Sequence, residues 1–233
     1  MEFNVENNYL RYISFIEKFI KREGVEDLIK FLENSDIKTA PASTKYHLSC
    51  EGGLVQHSIN VFNRLIKIMR SEYGEEDWPY SKETLAIVAL LHDISKVNFY
   101  QVSFRNVKNE QGQWESVPYY SVREDSSKLF MGGHEENSVY IIEEFIKLTY
   151  EEKLAIRYHM NALDTDDKSE RGRAFTAHKK SRLALYLYLA DMLACCVDES
   201  TDSITSFNPI ESYHVKEKEN ECIIEPAPDD APF

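Results

Sequence analysis

The sequence predicts an all-α domain, a helical bundle with one small inserted β-hairpin. Three observations carry that expectation. Apolar residues recur at helical spacing through most of the chain, the period drops to two between residues 99 and 122, and 233 residues at 42% hydrophobic content form one largish core. Residues 8 to 23, "NYLRYISFIEKFIKRE", set Leu10, Ile13, Ile16 and Ile20 along one stripe, with Gly24 placed to end the helix. A shorter helix follows over "VEDLIKFLEN", then an ordered loop, "SDIKTAPASTKYHLSCEGG", rich in turn formers and without a helical period.

After Gly52-Gly53, "LVQHSINVFNRLIKIMRSEYG" aligns Leu54, Val61, Leu65 and Ile68 on one face. "SKETLAIVALLHDISK" opens on Ser81 as a capping residue and is apolar on most sides, as a central helix is. "FYQVSFRNV" then alternates Tyr100, Val102 and Phe104 with Gln101, Ser103 and Arg105, "KNEQGQ" turns, and "WESVPYYSV" returns, with Pro118 marking an edge strand. The aromatics of this hairpin could stack on a base, but the expectation is an apolar patch against the body. Helices resume at "HEENSVYIIEEFIKL", "EEKLAIRYHM" and "SRLALYLYLADMLACCVD". Residues 1–200 are read as the domain. Residues 201–233, acidic towards the end and holding Pro226, Pro228 and Pro232, are read as a solvated tail.

The formal net charge of −13 argues against a duplex-nucleic-acid binder, which needs a basic face to displace counterions, but permits a small phosphorylated substrate held by a local cationic site. No apolar run approaches the ~20 residues of a membrane span, and the N-terminus has no secretory pattern. Cys50, Cys195, Cys196 and Cys222 lack CxxC spacing and are read as small buried hydrophobes in a reducing, cytoplasmic setting.

One residue of the apolar helix 184–196 needs a partner: Asp191 sits in its middle, and an isolated buried carboxylate is expensive. His57 lies one and two turns before Val61 and Leu65, His92 and Asp93 end "LAIVALL", His134 starts a helix after Gly132-Gly133, and His159 stands one turn after Ala155. Singly, each histidine reads as a hydrogen-bonded core residue. Together they form a set that one or two divalent ions satisfy at once, imidazole and carboxylate being ligands for first-row metals. His92 and Asp93 would project about 100° apart on one helix. Lys96 falls on the same side, three residues after Asp93.

"LVQHSINV", "LLHDISK", "GGHEENSV", "RYHM" and "LADMLA" together resemble the HD-domain metal-dependent phosphohydrolases over residues 41 to 198. The resemblance implies an HD-domain helical bundle in which His57, His92, Asp93 and Asp191 hold a core metal. His134 and His159 would hold a second, with Asp93 bridging. The ion is open among Mn, Fe, Co, Ni, Zn and Mg. Ser95 stands where the family usually has Gly. "PASTKYHLSCEGGLVQHS" looks like the corresponding entry of HD-containing 3′-to-5′ exoribonucleases, which places Lys45 and His47 near the site. The insert resembles that of phage- and prophage-associated HD hydrolases.

The function so implied is hydrolysis of a phosphate ester of a nucleotide or similar small substrate by metal-activated water, with Asp93 and Lys96 in catalytic roles. Arg157, Arg173, Lys179 and Lys180 are candidates for phosphate binding, in a polar stretch that could form a lid. Two alternatives stand beside it. One is a phosphodiesterase or 3′-5′ exonuclease on short single-stranded or cyclic nucleotides; the other is a catalytically silent metal- or nucleotide-binding regulator. No membrane partner is expected, and homo-oligomerisation is left open.

Overall fold

The structure, a computed structural model, describes residues 4–123, 133–160 and 168–200. Helix α1 (Val5–Phe19) opens under Asn4, whose side chain accepts from the Asn7 amide at 2.9 Å. It ends at Ile20, short of the expected residue 23. Gly24 instead opens α2 (Val25–Glu33), at φ +90°. A Cβ there would stand 1.9 Å from the Phe145 carbonyl oxygen, so both the backbone and the close approach demand glycine. The buried face of α1 is Tyr12 and Ile16, continued by Ile20; Leu10, expected on it, is 56% exposed. Phe15 and Phe19 pack on Phe62 with ring centroids 5.6 and 5.5 Å apart.

Helix α3 (Gly53–Tyr73) crosses α4 (Lys82–Leu91), which is the centre of the bundle. The Ser81 hydroxyl caps α4 by accepting from the Thr84 amide at 3.0 Å, and Leu85 through Leu91 are all buried, as the sequence predicts for a central helix. The buried Tyr12 hydroxyl donates to the Leu90 carbonyl at 2.9 Å, satisfying one of the last carbonyls of α4. Tyr12→Phe leaves that carbonyl without this donor and is expected to lower stability by about 1–2 kcal/mol, read from a urea midpoint shift at unchanged m-value.

The helix does not continue through His92 and Asp93 as expected. Asp93 turns out at φ −109°, ψ 15°, and a short 3₁₀ turn, Ile94–Lys96, follows. Next come the strands β1 (Tyr100–Lys108) and β2 (Trp114–Val122), antiparallel from Tyr100↔Val122 to Lys108↔Trp114. The expected apolar patch against the body is not formed: Phe104 and Trp114 are each 68% exposed. The two strands pack chiefly on one another, leaving the alternating aromatics no body to rest on.

Helix α5 (His134–Glu143) leads to α6 (Tyr150–Arg157), which starts in a complete capping box of Thr149 and Glu152. Within the stretch read as a polar lid, Lys168–Lys180 is a helix, α7; residues 161–167 lie outside the described residues. Its buried positions are only Ala174 and Ala177, too small a stripe to register as a hydrophobic period. Helix α8 (Arg182–Leu193) is capped by Ser181, packs on α3, α6 and α7, and ends in a π-helical turn, Ala194–Asp198. The tail expected over 201–233 lies outside the described residues. No helix among the described residues is long and apolar enough to cross a membrane.

Candidate metal centre

The site begins in the loop before α3. The Ala42 amide donates to the Leu48 carbonyl at 3.2 Å, and the Ser43 hydroxyl to the His47 carbonyl at 2.8 Å, closing a tight turn. Gly52 takes φ +73°, and a Cβ on Gly53 would lie 2.1 Å from the Leu48 oxygen, so "GG" is what lets α3 start against this loop. The His47 ring is thereby brought to 4.8 Å from the His57 ring.

Side chains from α3, the end of α4 and α8 then converge. His57 Nε2 lies 3.2 Å from His92 Nε2, 3.1 Å from Asp191 Oδ1 and 3.7 Å from Asp93 Oδ2. His92 Nε2 is 3.5 Å from the same Asp93 oxygen, and its Nδ1 lies 2.9 Å from the Ala89 carbonyl, fixing the ring. On the other side, Asp93 Oδ1 faces His134 Nε2 at 3.4 Å and His159 Nε2 at 3.6 Å. His159 stands just past α6, its Nδ1 at 2.7 Å from the Ile156 carbonyl. Asp93 Oδ1, His134 Nε2 and His159 Nε2 are all buried and without a hydrogen-bond partner. Orphaned polar atoms of this kind call for an explanation, and an ion is one.

The spacing fits that explanation. Ligands about 2.1 Å from a metal stand roughly 3.4 Å apart in a tetrahedral set. Both His57–His92–Asp93 and Asp93–His134–His159 have their ligand atoms within 4.8 Å of one another. All six residues named from the sequence pattern are therefore brought together, with the Asp93 carboxylate between two groups of nitrogens. Lys96 completes the floor, Nζ 2.6 Å from Asp93 Oδ2.

The electrostatics point the same way. Burial pushes His92 down to about 4 and His134 to about 3. Burial would also lower His57, but the Glu199 and Asp191 carboxylates outweigh it and raise the group to about 10. Burial opposes ionisation of Asp93 and Asp191, yet Lys96 and the histidines hold Asp93 well below the carboxylate range, and His57 does the same for Asp191. Buried carboxylates that remain ionised draw in positive charge, which a divalent cation supplies more completely than a proton.

Sequence reasoning missed Glu199. The π-helical turn carries it back under α3, where it is 4% exposed and accepts from Asn60 Nδ2 at 3.0 Å, with His57 Nδ1 also 3.0 Å away. A carboxylate on the far nitrogen of a ligating imidazole fixes its tautomer and orientation. In sequence Glu199 belongs to the run "DESTDS", indistinguishable from a solvated acidic stretch. Glu199→Gln is expected to weaken metal affinity about 10–100-fold in a chelator competition titration.

Ser95, the departure from the family's glycine, also has a role. Its hydroxyl donates to the His134 carbonyl at 2.7 Å and its amide to the Ser138 hydroxyl at 3.2 Å, tying the start of α5 to the turn after Asp93. The described cysteines are not the buried hydrophobes expected. Cys196 is exposed, and Cys195 is half-buried with Sγ 2.8 Å from His47 Nδ1, because the π-helical turn rotates the pair off the apolar face.

The expected phosphate-binding cations fare differently. Arg157 is committed to Glu135 at 2.9 Å, Glu170 at 2.7 Å and Glu136 at 3.3 Å, which leaves its fork turned to carboxylates. Arg173 pairs with Glu170 at 2.7 Å and lines, with Lys180, a cleft between α6 and α7. Lys179 sits 4.8 Å over the Phe175 ring. Lys45 lies 5.5 Å over the Tyr46 ring, at the mouth of a cleft beside the hairpin.

Comparison with known proteins agrees with this geometry. The family model described as HD domain matches residues 54–195. A dihydroneopterin 2′,3′-cyclic phosphate phosphodiesterase of Methanocaldococcus jannaschii is 27% identical over 127 residues, 48% of this chain and 47% of that one. The chain thus spans about half the length of this curated relative. No solved structure matches.

Proposed function

The chain belongs to the HD domain family, and we propose that it is a metal-dependent phosphohydrolase that opens a phosphate ester in a nucleotide or similar small phosphorylated molecule. One observation carries the reading: a single buried carboxylate, Asp93, stands between two sets of imidazole nitrogens, one of which has no other partner. His57, His92, Asp93 and Asp191 would hold one ion, and Asp93, His134 and His159 a second. Such ions lower the pKa of bound water from about 16 towards 7 and offset phosphate charge.

The chain's own groups do the rest. Asp93 orients the attacking water between the two sets of nitrogens. Lys96, already buried beside Asp93, turns its ammonium towards the oxygens of the ester. Glu199 keeps His57 in one tautomer, and Ser95 keeps His134 facing Asp93. His47 Nε2 lies 4.0 Å from Glu199 Oε2, beside the far nitrogen of His57. Residues 1–200 form the catalytic domain in this reading, in a cytoplasmic protein.

The similarity to a cyclic phosphate phosphodiesterase favours a diester, and specifically a 2′,3′-cyclic phosphate, over a monoester. Metal content by plasma mass spectrometry on protein purified without nickel resin is expected to give one or two first-row ions per chain. A panel of nucleoside monophosphates, 2′,3′-cyclic nucleotides and short oligonucleotides then assigns the bond. Opening of the cyclic nucleotides supports the diester, free phosphate from the monophosphates the monoester. Metal-loaded protein inert to the whole panel, and to bis(p-nitrophenyl) phosphate, refutes hydrolysis and leaves a binding protein.

A further inference from the structure

A cleft of about 830 Å³ opens between the 44–49 loop and the hairpin. In a chain of net charge −13, its lining carries two cations, Lys45 and Arg105, and no carboxylate among the described residues. Neither cation is in an ion pair among the described residues. Arg105 instead lies 5.5 Å over the ring of Tyr119, and Pro118, Tyr119 and Tyr120 contribute to the lining. A guanidinium over a tyrosine ring presents a flat face on which a further planar ring can stack.

Both walls of the cleft belong to chain segments that also reach the metal centre. Lys45 and Ser49 flank His47, whose ring lies 4.8 Å from that of His57. On the other wall, β1 begins at Tyr100, whose hydroxyl lies within the fields of Lys96 and Asp93. A molecule with phosphate at Lys96 and a ring in the cleft would set its charge beside the metal centre and its ring beside the hairpin tyrosines.

We infer that the cleft between the 44–49 loop and the hairpin is a base-binding subsite, taking the nucleoside end of a nucleotide whose phosphate reaches the metal centre. The inference rests on the phosphohydrolase reading and deepens it. The base stacks on Tyr119 and the Arg105 plane, while Lys45 meets the sugar-phosphate edge. Sequence alone leaves these aromatics between packing and base stacking; their exposure in the structure favours the second. Phe104, exposed on the same ribbon but outside the cleft lining, has no part in it.

Calorimetric titration of metal-loaded protein with AMP, GMP, CMP and UMP against ribose 5-phosphate tests the subsite. The best nucleotide is expected to bind at least about tenfold more tightly than the base-free ester, as one stacked base provides. Tyr119→Ala and, separately, Arg105→Ala are expected to bring that ratio below about threefold, while Phe104→Ala leaves it unchanged. Two variants guard against loss of the hairpin in either, which far-UV circular dichroism reports. Equal binding with and without a base, a ratio untouched by both variants, or binding of neither ligand overturns the inference. Hydrolysis of bis(p-nitrophenyl) phosphate separates the two failures: if it persists, the subsite alone is wrong, and if wild type lacks it, the phosphohydrolase reading falls as well.

Discussion

Asp93→Asn is expected to strip the centre of metal and to lower turnover by at least about a thousandfold with any substrate. The Asp93 carboxylate lies within 3.7 Å of both sets of nitrogens, His57 and His92 through Oδ2, His134 and His159 through Oδ1. The amide keeps the shape of the carboxylate but supplies one neutral oxygen in place of two charged ones. It also removes the partner of Lys96, whose side chain is 11% exposed, so a modest fall in stability accompanies the loss. Plasma mass spectrometry and thermal melts on the same preparation separate the two effects. A folded Asp93→Asn protein that retains two ions and full turnover contradicts the bridging role.

The largest effect on the fold is expected far from the chemistry. The Glu152 side chain is fully buried and takes a two-pronged interaction from Arg22, at 2.7 and 2.6 Å, while it also accepts from the Thr149 amide at 2.8 Å in the capping box. It fastens the segment between α1 and α2 to the start of α6. Glu152→Ala removes the box and leaves Arg22 facing an emptied site, at a cost of about 3–5 kcal/mol, or roughly 6–20 °C in melting temperature. Burial opposes ionisation of Glu152, but Arg22 and the Thr149 amide prevail and hold its carboxyl below the usual range. Because its folded pKa is depressed, its contribution is complete above the unfolded carboxylate value near about 4.3 and disappears as pH falls through the folded one. Glu152→Gln should flatten that acid limb of the stability profile; an unchanged limb assigns it to other carboxylates.

The helices of the core were legible from their period, and the six His and Asp positions from the motifs that resemble the HD-domain pattern, most of them set where a helix should be apolar. Asp191 is the clearest case, a carboxylate in "LYLADMLA" that ends 3.1 Å from His57. Glu199 was not legible, because its burial depends on a π-helical turn that no local pattern announces. Helix α7 hid behind two alanines, and the ion pairs of Arg157 were not legible because its carboxylate partners come from α5 and α7, elements separate from its own. Periodicity reports one element's burial; it does not report which charges of separate elements will meet.

The ribbon of β1 and β2 shares little with the bundle, and a two-stranded hairpin contributes little to the stability of a body it barely touches. With the base subsite inferred above, recognition and folding are entrusted to different parts of the chain. Mutational drift in the ribbon can change which molecules are admitted while the bundle's cooperative unfolding stays as it was. A lineage can thus explore new substrates without first acquiring surplus stability.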